Sequence, residues 1–376
     1  MRIACIAQSQ IPSTRANSIR VMKMCAAFMD AGHEVHLWLP GESPRISGEE
    51  IQLQYGIKEV FPVTWIKNKS WLRGYDFGLQ ALMAARRWQA DFFYTWPYQA
   101  AAFSSLFGFP TGMEVHDFPP SSSGTRLFKL FLAGKGLRRV LPITQALSKD
   151  LQQRFTFPAD ESMLDILPLG VDLDQYLNLP DSVGARQELN FPDAITVGYT
   201  GHLYAGRGIE LLFDLAGRNP QVQFLWAGGE PETISFWEGR IRTAGMDNIR
   251  LLGFKPHHEM PLIQAACDIL AMPYAHKIST SSGGDTARYA SPIKAFEYLA
   301  SGRVILSSDL PVLHEILTEE NAILLSPEDV DAWDRALKMI IQDDSMRTAL
   351  GASARKTAQQ YSWNARARKA LRGLES

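Results

Sequence analysis

Tyr289-Ala290-Ser291-Pro292-Ile293-Lys294-Ala295-Phe296-Glu297-Tyr298-Leu299-Ala300-Ser301-Gly302-Arg303-Val304-Ile305-Leu306-Ser307-Ser308-Asp309-Leu310-Pro311 is the most informative stretch of the 376-residue chain. Ser291 is a good helix N-cap, and Pro292 suits a first helical turn because the N–H it lacks would go unused there. The pair predicts a helix that starts here with the N–H groups of Ile293 and Lys294 free. A helix N-terminus with a lysine in its first turn attracts anions. Glu297 follows Ile293 by four positions and falls on the same side of the helix, where a carboxylate can accept hydrogen bonds from ribose hydroxyls. A phosphate binder and a sugar binder thus stand one turn apart, as a nucleoside diphosphate requires. An ordinary capped helix with an exposed lysine and glutamate would use the same residues. The segment upstream, residues 276–288, favours function, because it is long, polar and rich in Gly and Ser, and loops of that length are usually functional or disordered.

Moving outward, strand-like runs alternate with helix-length segments throughout. The first series covers 2–7, 34–39, 91–96, 111–115, 140–144 and 166–169, with a helix expected over about 17–31 whose Ile19, Met22, Cys25, Ala26 and Met29 form one apolar stripe. The second covers 194–201, 222–227, 249–253, 268–272, 304–307 and 322–325. Strands separated in this way imply parallel sheets in an α/β fold. Between residues 172 and 193 the pattern lapses into a polar stretch with Pro180 and Pro192, and the domain boundary is placed there. From Glu328 the chain reads as helical, and residues 361–364 are placed to cap a last helix rich in Arg and Ala.

Composition narrows the function. With 46% hydrophobic and 21% charged residues the chain can bury a sizeable core, and its length favours two domains. Lys plus Arg (38) nearly balance Asp plus Glu (40), so nothing general points to nucleic acid. Cys5, Cys25 and Cys267 lie far apart without histidines at ligand spacing, which indicates neither disulfides nor a metal site and fits a reducing, cytoplasmic compartment. The N-terminal apolar run reads as a strand rather than a signal peptide, and no stretch approaches the roughly 18–20 apolar residues that span a bilayer.

The pattern Ser-Pro-Ile-Lys-x-Phe-Glu-Tyr-x-Ala-x-Gly, followed by a strand and Ser308-Asp309-Leu310-Pro311, resembles the donor-site signature of family 4 retaining glycosyltransferases. Gly198-Tyr199-Thr200-Gly201-His202-Leu203 with Gly206-Arg207-Gly208 is similar to that family's first donor-domain strand and loop. Residues 167–172 resemble its interdomain segment, and Glu114-Val115-His116-Asp117 the acceptor-domain histidine. The resemblance implies a GT-B fold, in which two Rossmann-like domains with parallel sheets face each other across an interdomain cleft. Residues 1–185 would form the acceptor-binding domain, 186–360 the donor domain, and 361–376 a C-terminal helix packing back on the first. It further implies metal-independent transfer of a sugar from a nucleotide diphosphate sugar, with retention of configuration, to a glycan, lipid-linked or small-molecule acceptor; the donor is a substrate, and no cofactor is called for. Lys294, Arg207, Gly201, His202, Ser291 and Ile293 would hold the diphosphate, Glu297 the ribose, and His116 would act at the reacting centre.

Three departures stand out. Tyr289 occupies a position where many members carry a second Glu, Arg207 replaces the usual Lys, and His202 stands where Arg is common. Arg15 and Asn17, in the loop after the first strand, overlook the carboxyl edge of the first sheet and are assigned to acceptor contact. The interleaved Trp65, Lys67, Lys69, Trp71 and Arg73, with Arg86, Arg87 and Trp88, fit either an anionic membrane surface or a solvated basic face. An epimerase or phosphorylase built on the same double domain, or a nucleotide-sugar sensor, would keep the phosphate site.

Overall fold

The alternating runs become two parallel sheets in the computed structural model, which describes residues 1–158, 160–278 and 287–374. The first sheet contains β1 (Arg2–Ile6), β2 (Glu34–Pro40), β3 (Val63–Ile66), β4 (Phe92–Thr95), β5 (Thr111–Val115) and β6 (Leu137–Pro142), in the order β3-β2-β1-β4-β5-β6. Strands buried on both faces carry continuous apolar runs, and Ile3, Ala4, Cys5 and Ile6 of β1 are fully buried accordingly. The helix Ala16–Asp30 turns Met22, Cys25 and Phe28 into the core. Alanines do the same for two later helices: Ala81 and Ala85 from Tyr75–Arg87, and Ala100, Ala101 and Ala102 from Tyr98–Leu106.

The second sheet contains β7 (Thr196–Thr200), β8 (Gln223–Ala227), β9 (Ile249–Gly253), β10 (Ile269–Met272), β11 (Val304–Ser308) and β12 (Ile323–Leu325), ordered β12-β11-β10-β7-β8-β9. Its core gathers Tyr199, Leu212, Phe224, Trp226, Trp237, Trp333 and Leu337, with the Trp226 and Trp237 rings edge to face at 5.5 Å. Both sheets run outward from a central pair, β1–β4 and β7–β10, and ligands bind such sheets beyond the carboxyl ends of the strands at that switch point.

Three details differ from the sequence reading. Val63–Ile66 is a strand, although Pro62 and the lysines beside Trp65 obscured it. Residues 166–169 are not a strand: Leu167 N donates to Pro142 O at 2.7 Å, and the chain then leaves the sheet. The strand read over 140–144 starts at Leu137, and Thr144 instead caps the helix Gln145–Arg154 by accepting from Leu147 N.

The chain divides into two compact units, one of Met1–Leu169 with the stretch from Trp363 onward, the other Gly170–Ser362. The division falls at Leu169/Gly170 rather than near residue 185 because the polar stretch after Gly170 is anchored in the second unit. Tyr176 OH donates to Gln264 Oε1 at 2.9 Å, and buried Arg186 bridges Asp268 at 3.0 Å. The last helix, Trp363–Ala370, packs on the helix Ala16–Asp30 of the first unit.

Candidate functional site

In the second unit the loops that leave β7 and β10 border the switch point. The loop after β7 runs through Gly201, His202 and Arg207 to Gly208, which precedes the helix Ile209–Arg218; the chain after β10 leads through Pro273 and Tyr274 toward the helix Ile293–Ser301. Gly208 (φ +77°) permits the two to meet, since a Cβ there would lie 1.8 Å from Pro273 O. His202 stacks on Tyr204 with ring centroids 4.7 Å apart, and its carbonyl accepts from Tyr199 OH at 2.7 Å.

The helix starts one residue later than the Ser-Pro pattern predicts. Pro292, extended at φ −74°, is the N-cap, Ile293 is the first helical residue, and no side chain caps the end. Proline's fixed φ suits an N-cap as well as a first turn, so the sequence did not distinguish them; Ser291 lies buried just ahead. The first turn bond runs from Ala295 N to Pro292 O at 3.0 Å, which leaves the N–H groups of Ile293 and Lys294 ahead of the helical ladder.

Lys294 is the unusual group. Its Nζ is buried without a hydrogen-bond partner among the described residues and sits 3.8 Å from the centroid of the Tyr199 ring and 5.4 Å from that of Tyr274. Gly201 (φ +128°) makes room, since a Cβ there would come within 2.8 Å of that Nζ. Burial holds the amino group well below the ordinary lysine range, repulsion from Arg207 adds to the shift, and Glu297 opposes it. The Arg207 guanidinium lies over Tyr274 at 5.0 Å, and among the described residues its Nε is also buried without a partner. Two cations therefore sit close together, held by aromatic faces rather than by carboxylates.

Glu297 is buried one turn along the helix. His257 Nε2 donates to Oε1 at 2.7 Å and Gln264 Nε2 to Oε2 at 3.3 Å. Burial alone would raise its carboxyl pKa, but the hydrogen bond and charge of His257, with Gln264 and Lys294, hold it below the usual range. A carboxylate accepts about four hydrogen bonds, so Glu297 keeps acceptor capacity beyond these two. The Tyr298 hydroxyl accepts from Thr200 N at 2.9 Å and ties this helix to the end of β7. His257 and Gln264 escaped the sequence reading; for His257 the available signal was its place just beyond the carboxyl end of β9. Of the polar loop singled out over 276–288, residues 279–286 lie outside the described residues.

In the first unit His116 follows β5, and both ring nitrogens are engaged. Arg20 Nη1 donates to Nδ1 at 2.7 Å, so Nε2 carries the proton and donates to Glu114 Oε1. Burial, reinforced by Arg20, pushes His116 down to about 4, which keeps it neutral. Burial also pushes Arg20 down to about 10. Glu114 is buried against Arg366 of the last helix at 2.9 Å; burial would raise its pKa, but Arg366 and His116 hold it well below the carboxylate range. Arg366 Nε also donates to Pro168 O at 2.7 Å. The expectation for His116 named neither Arg20 nor Arg366, which lie 96 and 250 residues away in sequence (116 − 20 and 366 − 116). Arg15 is the exposed residue before the helix Ala16–Asp30, and Asn17 Nδ2 donates to Gln8 O at 3.1 Å. Among the described residues no group of three or more His, Cys, Asp or Glu is placed to hold a metal ion, and no helix is long and apolar enough to cross a membrane.

The family profile described as Glycosyl transferases group 1 matches residues 184–357, and that described as Glycosyltransferase Family 4 matches residues 18–175. A phosphatidyl-myo-inositol mannosyltransferase of Mycolicibacterium smegmatis is 24% identical over 373 residues, covering 95% of this chain and 89% of that protein. A D-inositol 3-phosphate glycosyltransferase of Corynebacterium kroppenstedtii is 26% identical over 231 residues, 57% of this chain and 48% of that protein, so the match spans about half the length of this relative. Among solved structures, HepE of Anabaena in complex with UDP superposes with a TM-score of 0.77 at 18% identity, over 100% of this chain and 99% of that one. Sucrose-phosphate synthase of Thermosynechococcus elongatus superposes with a TM-score of 0.72 at 20% identity, over 97% of this chain and 96% of that one. These likenesses establish the GT-B fold, and with the two profiles together matching most of the chain, the chain belongs to the family 4, group 1 retaining glycosyltransferases.

Proposed function

We propose that the chain transfers a sugar from a nucleoside diphosphate sugar to a hydroxyl of a glycan or lipid-linked acceptor, with retention of configuration, and that the second unit binds the donor. The buried Lys294 Nζ, unpaired among the described residues at a helix N-terminus that no N-cap side chain caps, carries this reading. A diphosphate would supply the missing counter-charge to Lys294 and Arg207 and accept from the N–H groups of Ile293 and Lys294. Ser291, Gly201 and His202 border the same group. As the glycosidic bond breaks, these donors stabilise the charge that grows on the departing phosphate. Glu297, oriented by His257, accepts from the ribose hydroxyls. In the first unit, neutral His116 serves turnover, with Arg15 and Asn17 on the acceptor side.

The test is to incubate the chain with UDP-glucose or GDP-mannose, with and without a glycan and lipid acceptor pool. Nucleoside diphosphate release that depends on acceptor supports transfer. A donor sugar altered without acceptor points to an epimerase, and tight donor binding with no turnover to a sensor.

One surface favours a lipid-linked acceptor. Tyr75, Leu79 and Met83 recur every four residues along one exposed stripe of the helix Tyr75–Arg87, next to Trp71, which is 73% exposed, with Arg73, Arg86 and Arg87 also exposed nearby. Trp65 and Trp88 do not belong to this stripe: Trp65 lies in β3, and Trp88 packs edge to face on Trp38. An apolar stripe flanked by arginines suits an anionic bilayer surface. Sedimentation with anionic and neutral vesicles at low salt tests it, and equal binding to both would remove the electrostatic argument.

A further inference from the structure

The second unit holds a cavity of 360 Å³ at the opposite end of its strands from the donor loops, lined by Arg303, Arg347 and Arg355 with the hydroxyl residues Ser182 and Thr348. Val304, at its wall, is the first residue of β11, so the cavity lies at the amino ends of the strands. Its volume falls in the range of about 300 to 1,000 Å³ in which proteins bind small molecules.

The charges there do not balance. Two carboxylates reach the wall, Asp268 and Asp344, and each already has an arginine partner: Asp268 accepts from Arg186 Nη1 at 3.0 Å and from Thr196 N at 2.9 Å, and Asp344 from Arg347 Nη2 at 3.0 Å. Arg303 and Arg355 form no ion pair among the described residues. Arg303 Nη2 donates to Ala265 O at 2.7 Å, while its Nε is buried without a partner among the described residues. Arg355 Nη2 donates to Ser301 O at 3.0 Å. Burial lowers the Arg303 pKa, Asp268 and Cys267 oppose the shift, and the positive charge of Arg355 adds to it. Among the described residues the two guanidinium groups thus share one cavity wall hydrogen-bonded only to backbone carbonyls, while Asp268, whose charge acts on Arg303, is itself paired with Arg186. Guanidinium forks match phosphate oxygens in a two-point geometry that carbonyls cannot supply, and the two hydroxyls add neutral donors.

We propose that this cavity is a second ligand site, separate from the donor site, and that it binds a small anion through a phosphate group seated between Arg303 and Arg355. The ligand is a phosphate dianion, either free or esterified to a small molecule, and the cavity has room for the ester.

Thermal unfolding of the full chain tests this in a Lys294→Met background, where one of the two donor-side cations is gone. Inorganic phosphate and glucose 6-phosphate are titrated against sodium chloride of matched ionic strength. Binding to the native state alone raises Tm by about 5 to 10 °C at a hundredfold excess over Kd. The rise should persist in Lys294→Met and vanish when Arg303→Gln and Arg355→Gln are added. If Arg303→Gln does not fold, Arg355→Gln with Thr348→Val carries the same comparison. A response to the ester alone identifies a phosphomonoester ligand, and an equal response to both identifies free phosphate; either supports the site. No rise beyond the chloride control, or a rise that survives loss of the arginines, overturns it.

Discussion

Replacing Lys294 with methionine should change stability and donor affinity in opposite directions. Among the described residues the Nζ is buried and unpaired, and its main compensation is the Tyr199 ring 3.8 Å away. A cation over an aromatic face gains about 0.5 to 2 kcal/mol, whereas taking an ion out of water costs several kcal/mol. Methionine nearly matches the lysine stem in volume and needs no partner, so Lys294→Met should stabilise the free protein by at least about 1 kcal/mol. In a unit of this size that raises Tm by about 2 to 4 °C. The diphosphate, however, loses a charge-assisted hydrogen bond of about 1.5 to 3 kcal/mol, a roughly tenfold to hundredfold weaker Kd. Scanning calorimetry reads the first effect and isothermal titration with UDP or GDP the second. A destabilised variant that binds as tightly as wild type would refute the reasoning, because Lys294 would then be a packing residue.

Glu297→Ala should weaken nucleoside diphosphate binding by roughly tenfold to hundredfold with the fold intact by circular dichroism; unchanged affinity would remove the ribose assignment. His116→Ala should lower turnover on the order of a hundredfold at saturating substrates, with little change in UDP or GDP affinity, and wild-type turnover would make His116 structural. Arg366→Met leaves Glu114 buried without its main counter-charge and should cost about 3 to 5 kcal/mol in urea unfolding; a loss under about 1 kcal/mol would contradict that pairing. His116 also sets a pH window. Its folded pKa of about 4 lies below the ordinary 6.5, so between these values the unfolded chain holds more protons and stability falls as pH drops from 6.5 toward 4, by at most about 3 kcal/mol. His116→Asn should flatten that part of the curve, and an unchanged slope would place the effect elsewhere.

Much of this arrangement was legible because local rules and global fold agree. The strand spacing, the glycines around Arg207 and the Lys294–Glu297 interval are each encoded locally, in short stretches of sequence. What the sequence hid was mostly long-range or ambiguous. Nothing near Glu297 in sequence announces His257 and Gln264, which reach it only because β9 and the following helix stand beside it. Arg366 meets Glu114 only after the C-terminal helix returns to the first unit. The short strand Val63–Ile66 was concealed by its neighbours' charges, and the start of the helix Ile293–Ser301 by proline's fit to either of two positions.

A crystal structure of the chain with a bound nucleoside diphosphate tests the central claim most directly. The account predicts that the diphosphate lies against the N–H groups of Ile293 and Lys294, with Lys294 Nζ and Arg207 within hydrogen-bonding distance of its oxygens and the ribose hydroxyls on Glu297. A nucleotide seated in the first unit, or one that leaves Lys294 unpaired against Tyr199, would contradict it.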